Sequence, residues 1–248
     1  MSFVFVHGLI GSFADPATLC WLEPAAAIAP DLHGYGFSAE DDTEGLTIEG
    51  QVDYLHSAIS RQIATASPIH LVGHSVGAVI AATYAYQYPD RVASFVNVEG
   101  NFTLNDAFWS RQLAGKSADE VHQIVARDQS DPARWLRDAG VEPSEHRVLA
   151  AAAALAYQPA STVRATARAV VEFTGQPRYD SLLRSVFAQL PVHLVAGARS
   201  RSGWDVPDWA LQEAASYTEV PNTGHMIMLE APEVLGQQLH QLFGSPRS

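Results

Sequence analysis

The chain has 248 residues, 47% of them hydrophobic and 17% charged, with a formal net charge of -12. That is enough for one α/β domain carrying an insertion, and too apolar for a disordered chain. An acidic surface without a basic cluster repels phosphate backbones and anionic lipid, so neither nucleic acid nor a membrane surface is an expected partner.

The start, MSFVFVHGLIGS, lacks a basic lead and has too short an apolar run for a signal peptide, and no stretch approaches the ~18 apolar residues of a membrane span. With a single cysteine, Cys20, there is no disulfide within the chain, which fits a reducing compartment. The expected location is the cytoplasm. Cys20 lies between Leu19 and Trp21 and reads as a buried structural thiol.

In chain order, the first strand is FVFVHG. His7-Gly8 turns the chain at its end so that the backbone N–H of Leu9 faces outward from the sheet edge. AAIAPD and PIHLVGH have the length and branched content of strands buried on both faces. Between them, TIEGQVDYLHSAISRQIATA repeats Val52, Leu55, Ile59 and Ile63 on one helical face. LVGHSVGAVI follows, with a strand ending at Gly73, Ser75 on the turn, and a helix from Val76 to the stop at Pro89. VASFVNVEG is the next strand and ends in Glu99. Alternating strands and helices predict an open parallel sheet with helices on both faces.

The alternation then breaks for about ninety residues. NDAFWSRQLA, SADEVHQIVARD, PARWLRDAG, EHRVLAAAAALAY and STVRATARAVVEF read as helices, punctuated by Pro132, Pro143, Pro159 and Pro177. Residues 101–190 are therefore expected to be a helical insertion, and residues 1–100 with 191–248 the sheet domain. PVHLVAG resumes the sheet. SYTEV, a loop carrying His225, and the helix APEVLGQQLHQLF close it.

The G-x-S-x-G turn projects Ser75 between a strand and a helix that pack closely because Gly73 and Gly77 lack side chains. A serine hydroxyl needs an adjacent base to attack at neutral pH. Of ten histidines, His225 lies just past a strand end and so is placed to reach the sheet edge that carries Ser75. His74 adjoins the serine, but the sharp turn points it away. Acyl transfer also needs donors for the developing oxyanion, and the backbone N–H groups of Leu9 and Val76 are placed to supply them. Histidine spacing gives no metal site.

The order of these motifs resembles the α/β-hydrolase family: HG at 7–8, D-x-H-G-x-G-x-S at 31–38, G-H-S-V-G at 73–77 and N-T-G-H-M-I-M-L-E-A-P-E at 222–233. The resemblance covers the chain apart from the helical insertion. It implies an α/β-hydrolase fold, a Ser–acid–His triad, a cap over the pocket, and hydrolysis of an ester-like bond without a cofactor. Serine at 75, rather than aspartate, argues against a dehalogenase-like member. Esterases, thioesterases, lactonases and C–C hydrolases remain open, as do lyases using the same triad and a hydrolase-like ligand receptor. Members usually carry two further strands before the HG strand. Their absence here is expected to shorten the sheet edge and to offer a surface for a homodimer.

In most members the acid follows the glycine of the HLVAG-type strand by three residues, which here is Ser200. Two carboxylates compete for the role. Glu99 ends the preceding strand, on the same edge of the sheet, and its extra methylene spans the added distance. Asp205 lies five residues beyond Ser200 and requires the loop to curl back. Glu99 is the favoured partner of His225, with Asp205 the alternative and a site without an acid also open. Among the insertion's aromatic residues, Phe102, Trp109, Trp135 and Tyr157 are expected to line an apolar chamber, giving a small, mostly apolar or aromatic ester or lactone as the substrate.

Overall fold

The computed structural model describes residues 1–13, 15–22, 27–63 and 67–243. Ala26, in the expected strand AAIAPD, and residues 64–66, the tail of the first expected long helix, lie outside them. Among the described residues, six strands form one sheet: β1 (Ser2–Val6), β2 (Ala27–Ile28), β3 (Ile69–His74), β4 (Val92–Val98), β5 (Val192–Gly197) and β6 (Ser216–Val220). Their spatial order is β2-β1-β3-β4-β5-β6, and every pairing is parallel. Parallel pairing brings all the strand C-termini to one edge, where the loops converge.

Among the described residues there are twelve α-helices: α1 (Pro16–Leu19), α2 (Ile48–Gln62), α3 (Val76–Gln87), α4 (Phe108–Ala114), α5 (Ala118–Ser130), α6 (Pro132–Asp138), α7 (Glu145–Ala156), α8 (Ala160–Thr174), α9 (Pro177–Gln189), α10 (Asp208–Glu213), α11 (Ile227–Glu230) and α12 (Pro232–Phe243). The period of two along β1 divides the core. Val4 and Val6 face α2, α3 and α9, while Phe3 and Phe5 face α1 and α12. Both faces are therefore covered, which is why the central strands read as continuous apolar runs.

Helix α3 runs through the middle. It is buried on every side from Val76 to Ala85, so small residues are needed around its circumference. Helix α2 starts at Thr47, whose hydroxyl accepts the Gly50 N–H at 3.0 Å. Helices α4 to α8 form the layer above the sheet edge. Trp135, Leu136, Val141, Ala151 and Leu155 make a separate small core there. Helix α9, although within the 101–190 block, packs on α3 and α10 against the sheet. It is the crossover from β4 to β5, so the layer above the edge ends before it.

Cys20 is exposed rather than buried. It follows a four-residue helix, too short to turn one face consistently inward. Among the described residues, no helix is long and apolar enough to cross a membrane.

Candidate active site

Ser75 sits between β3 and α3 with φ 52° and ψ −124°, a conformation that L-residues rarely adopt. The close approach explains the flanking glycines. A Cβ at Gly77 would lie 2.2 Å from the Val6 carbonyl oxygen, and one at Gly73 2.6 Å from Ala78 Cα. Among the described residues, the non-glycine positions with positive φ are Ser75, Glu99 and Asn222. They follow β3, β4 and β6 respectively, so backbone strain is concentrated at the C-terminal edge of the sheet.

His225 and Glu99 meet there. Nδ1 of His225 donates to Glu99 Oε2 at 2.8 Å. The other carboxylate oxygen, Oε1, accepts the Gly197 N–H at 2.6 Å and the Ser200 hydroxyl at 2.5 Å. Glu99 is 5% exposed. Burial alone would push its pKa up, but the bonds from His225, Ser200 and Gly197 favour the charged form and hold it below the usual carboxylate value. Asp205 is engaged elsewhere. Its Oδ2 accepts from Thr103 Oγ1 at 2.7 Å and Asn105 Nδ2 at 2.9 Å, at the foot of the cap. The loop does not curl back toward His225, because Trp204 is buried and its indole N–H is tied to the Gly100 carbonyl at 2.8 Å.

A second histidine supports the first. His74 is buried, and its Nε2–H donates to the His225 backbone carbonyl at 2.9 Å. Burial holds the His74 pKa well below the ordinary value, with the neighbouring His225 acting in the same direction. The ring is therefore neutral, and the carbonyl fixes its proton on Nε2. The turn that points His74 away from the serine hydroxyl thus points it at the histidine loop.

The Leu9 amide is oriented from both sides. His7 Nδ1–H donates to the Gly8 carbonyl at 2.9 Å. That carbonyl and the Leu9 N–H belong to one planar trans peptide and point in opposite directions. A bond on the oxygen therefore sets the direction of the N–H. The Tyr35 hydroxyl holds the next carbonyl, that of Leu9, at 3.2 Å. His7 is buried and its Nε2 has no hydrogen-bond partner among the described residues; burial pushes its pKa down to about 4, so the ring stays neutral. The Val76 N–H opens α3, where an N–H has no acceptor within its own helix.

A cavity of about 270 Å³ joins these groups. Ser75, His74, His225 and Leu9 line its floor. Ile10, Trp109, Trp135 and Met226 supply apolar walls, while Arg127, Asp128 and Asp138 add charge on the cap side. Asp128 is buried, and its Oδ1 accepts from Arg127 at 2.9 Å and Arg134 at 3.1 Å. Trp109 and Trp135 are thus in the wall, but Phe102 and Tyr157 are not. Phe102 faces the other way, into an aromatic cluster with Phe187, Trp204 and Trp209. Tyr157 packs edge-on against His7 and bonds Asp31, closing the seam between cap and core. Met226 and Ile10 went unassigned in the sequence, although each adjoins a site motif. Arg127 and Asp128 gave no signal, because a charged residue on an amphipathic helix reads as solvent-facing. Among the described residues, no group of three His, Cys, Asp or Glu side chains is arranged to hold a metal ion.

The alpha/beta hydrolase fold model matches residues 2–232. A dihydrolipoyllysine-residue acetyltransferase component of the acetoin cleaving system of Pseudomonas putida is 27% identical over 95% of this chain and 61% of its own length. The 2-(acetamidomethylene)succinate hydrolase of Mesorhizobium japonicum is 31% identical over 62% of this chain and 60% of its length. The chain therefore spans about three fifths of these two curated relatives. Among solved structures, MenH from S. aureus superposes with a TM-score of 0.76 at 15% identity, covering 97% of this chain and 92% of that one. Epoxide hydrolase CorEH superposes at 0.70 with 19% identity, covering 98% and 90%.

Proposed function

The chain belongs to the α/β-hydrolase family, and from that premise we propose that it is a serine hydrolase cleaving a small, mostly apolar carboxylic ester or lactone through an acyl-enzyme on Ser75. The observation that carries this reading is the 2.8 Å hydrogen bond between His225 and Glu99, made beside a cavity that Ser75 and His225 both line. With Nδ1 donating to the carboxylate, Nε2 is the nitrogen with a free lone pair. It takes the Ser75 proton as Oγ attacks the substrate carbonyl carbon. Glu99 stabilises the imidazolium that results, and its low pKa keeps it ionised for that task. The Leu9 and Val76 N–H groups receive the oxyanion. Collapse of the tetrahedral adduct expels the alcohol, protonated by His225. Water, deprotonated by the same histidine, then releases the acid and restores Ser75.

Trp109, Trp135, Ile10 and Met226 favour an apolar body in the substrate. A second reading rests on Arg127, which lines the same cavity. A substrate carrying a carboxylate would pair with it, and one relative is named for a succinate derivative. C–C cleavage or lyase chemistry on the same groups belongs to this second reading. A fluorophosphonate probe is expected to label wild-type protein and not Ser75→Ala. A panel of neutral esters, lactones, thioesters and carboxylate-bearing esters separates the readings. Preference for the charged members transfers the assignment to the second. Native turnover that survives in Ser75→Ala removes the acyl-enzyme from both.

A further inference from the structure

Ser200 stands where the strand-end rule calls for a carboxylate, and its side chain touches the carboxylate that Glu99 brings from the neighbouring strand. The hydroxyl lies 2.5 Å from Glu99 Oε1 and 3.2 Å from the Gly197 carbonyl. A hydroxyl has one proton, and the shorter bond to the charged acceptor takes it. Gly197 N–H donates to the same Oε1 at 2.6 Å. The turn is fixed independently of these bonds, since Ser200 N–H donates to the Gly197 carbonyl at 3.1 Å and Arg199 N–H to the Thr223 carbonyl at 2.9 Å. The β5 end therefore presents two donors, side by side and rigidly held, to one oxygen of the acid.

We propose that Ser200 is a positioning residue for the acid: with Gly197 it pins Oε1, and thereby turns Oε2 to His225 Nδ1. The inference rests on the Ser75–His225–Glu99 reading. The physical need for it comes from the length of the side chain. Glutamate has three rotatable torsions, and its terminal torsion is broad and twofold, so a single bond to His225 does not fix the carboxylate plane. Glu99 also has φ 45°, a backbone conformation that does not hold itself. Two donors on Oε1 fix the plane before substrate arrives, and the imidazole then meets an acid already oriented.

The test compares Ser200→Ala, Ser200→Thr and Glu99→Gln with wild type, using the best ester of the panel, with circular dichroism to confirm the fold of each. Ser200→Ala is expected to lose about 10- to 100-fold in kcat, the scale of one hydrogen bond to a charged group, with KM within twofold. Ser200→Thr keeps the hydroxyl and is expected to recover most of the loss. The His225 Nδ1–H proton resonance is expected to move in Ser200→Ala and to hold in Ser200→Thr. A Ser200→Ala enzyme with wild-type kcat overturns the proposal, and so does a loss confined to KM or one that threonine leaves unrecovered. If Glu99→Gln is inactive while Ser200→Ala is normal, this inference fails alone. If Glu99→Gln is itself near wild type, the triad reading has failed and takes the inference with it.

Discussion

The C-terminal edge of the sheet and the helical cap face each other across one cavity, yet they are stabilised in different ways. At the edge, Glu99 has 5% of its surface exposed, three hydrogen bonds reach its carboxylate, and the backbone is strained at Ser75 and Glu99. On the cap side, α5 is an amphipathic helix with an ordinary capping box at Ser117 and Glu120, and the charge it adds to the cavity is an ion cluster on Asp128. The edge is held by the buried strands beneath it. The cap has a small core of its own around Trp135 and Leu136, while Leu113, Val121, Val163 and Val170 of α4, α5 and α8 join the main core with β1 and α3, and Tyr157 bonds Asp31. On the proposed function, chemistry would demand the first kind of construction and substrate choice would permit the second.

That contrast breaks if edge substitutions prove mild or cap substitutions prove chemical. Ser75→Ala should have the largest effect, a loss of about 10⁶-fold in kcat, the scale for removing the serine of a triad; a burst-free progress curve and loss of probe labelling check it. Glu99→Gln should cost about 10⁴-fold, because the amide no longer stabilises the imidazolium and favours the wrong tautomer. Its Michaelis constant should barely move. Trp109→Ala removes an apolar wall that is only half buried, so the expected result is a rise in KM on the order of 10-fold for the bulkier acyl groups, with kcat nearly kept. Asp205→Asn should give the smallest change, kcat within about threefold of wild type, since its carboxylate is engaged by Thr103 and Asn105 rather than by His225. A large kcat loss in that variant would move the acid into the loop and undo the comparison at its centre.

Acid sharpens it further. The Glu99 pKa is lowered on folding, so the stability it contributes is fully present above the ordinary value of 4.5 and is lost as pH falls through the lower, folded one. The melting temperature of wild type should therefore fall more steeply than that of Glu99→Gln as pH is taken below about 4.5. Parallel curves for the two proteins would mean that the carboxylate is no better placed in the folded state than in the unfolded chain.

The edge was also the more legible half in the sequence. Strands buried on both faces must be apolar throughout, and each ends in a residue that breaks the run, so the places of Ser75 and Glu99 just after β3 and β4 are readable, while His225 is read from the loop that follows β6. The cap was not, for a physical reason. An aromatic residue on a cap helix has either the cavity or the core to face, and its spacing in sequence is the same in both cases. Trp109 and Trp135 went one way, Phe102 and Tyr157 the other. A long gap between strands does not mark where an insertion ends, so the sequence does not separate α9 from residues 101–190. Its apolar positions Tyr179, Leu183, Val186 and Phe187 have helical spacing, but spacing does not tell which neighbour they pack on. The role of His74 as a neutral donor depended on a contact 151 residues away, and no local pattern encodes that.

The turn at Ser75 has a consequence for how the protein trades durability against work. A serine held at φ 52° and ψ −124° costs about 1–3 kcal/mol of stability. Glycine reaches the same conformation without that cost, and the surrounding backbone already fits a glycine-rich turn. Ser75→Gly should therefore melt a few degrees higher than wild type while being catalytically dead. The fold would then be more robust without the atom that would do its chemistry, and selection for heat resistance alone would act against that atom.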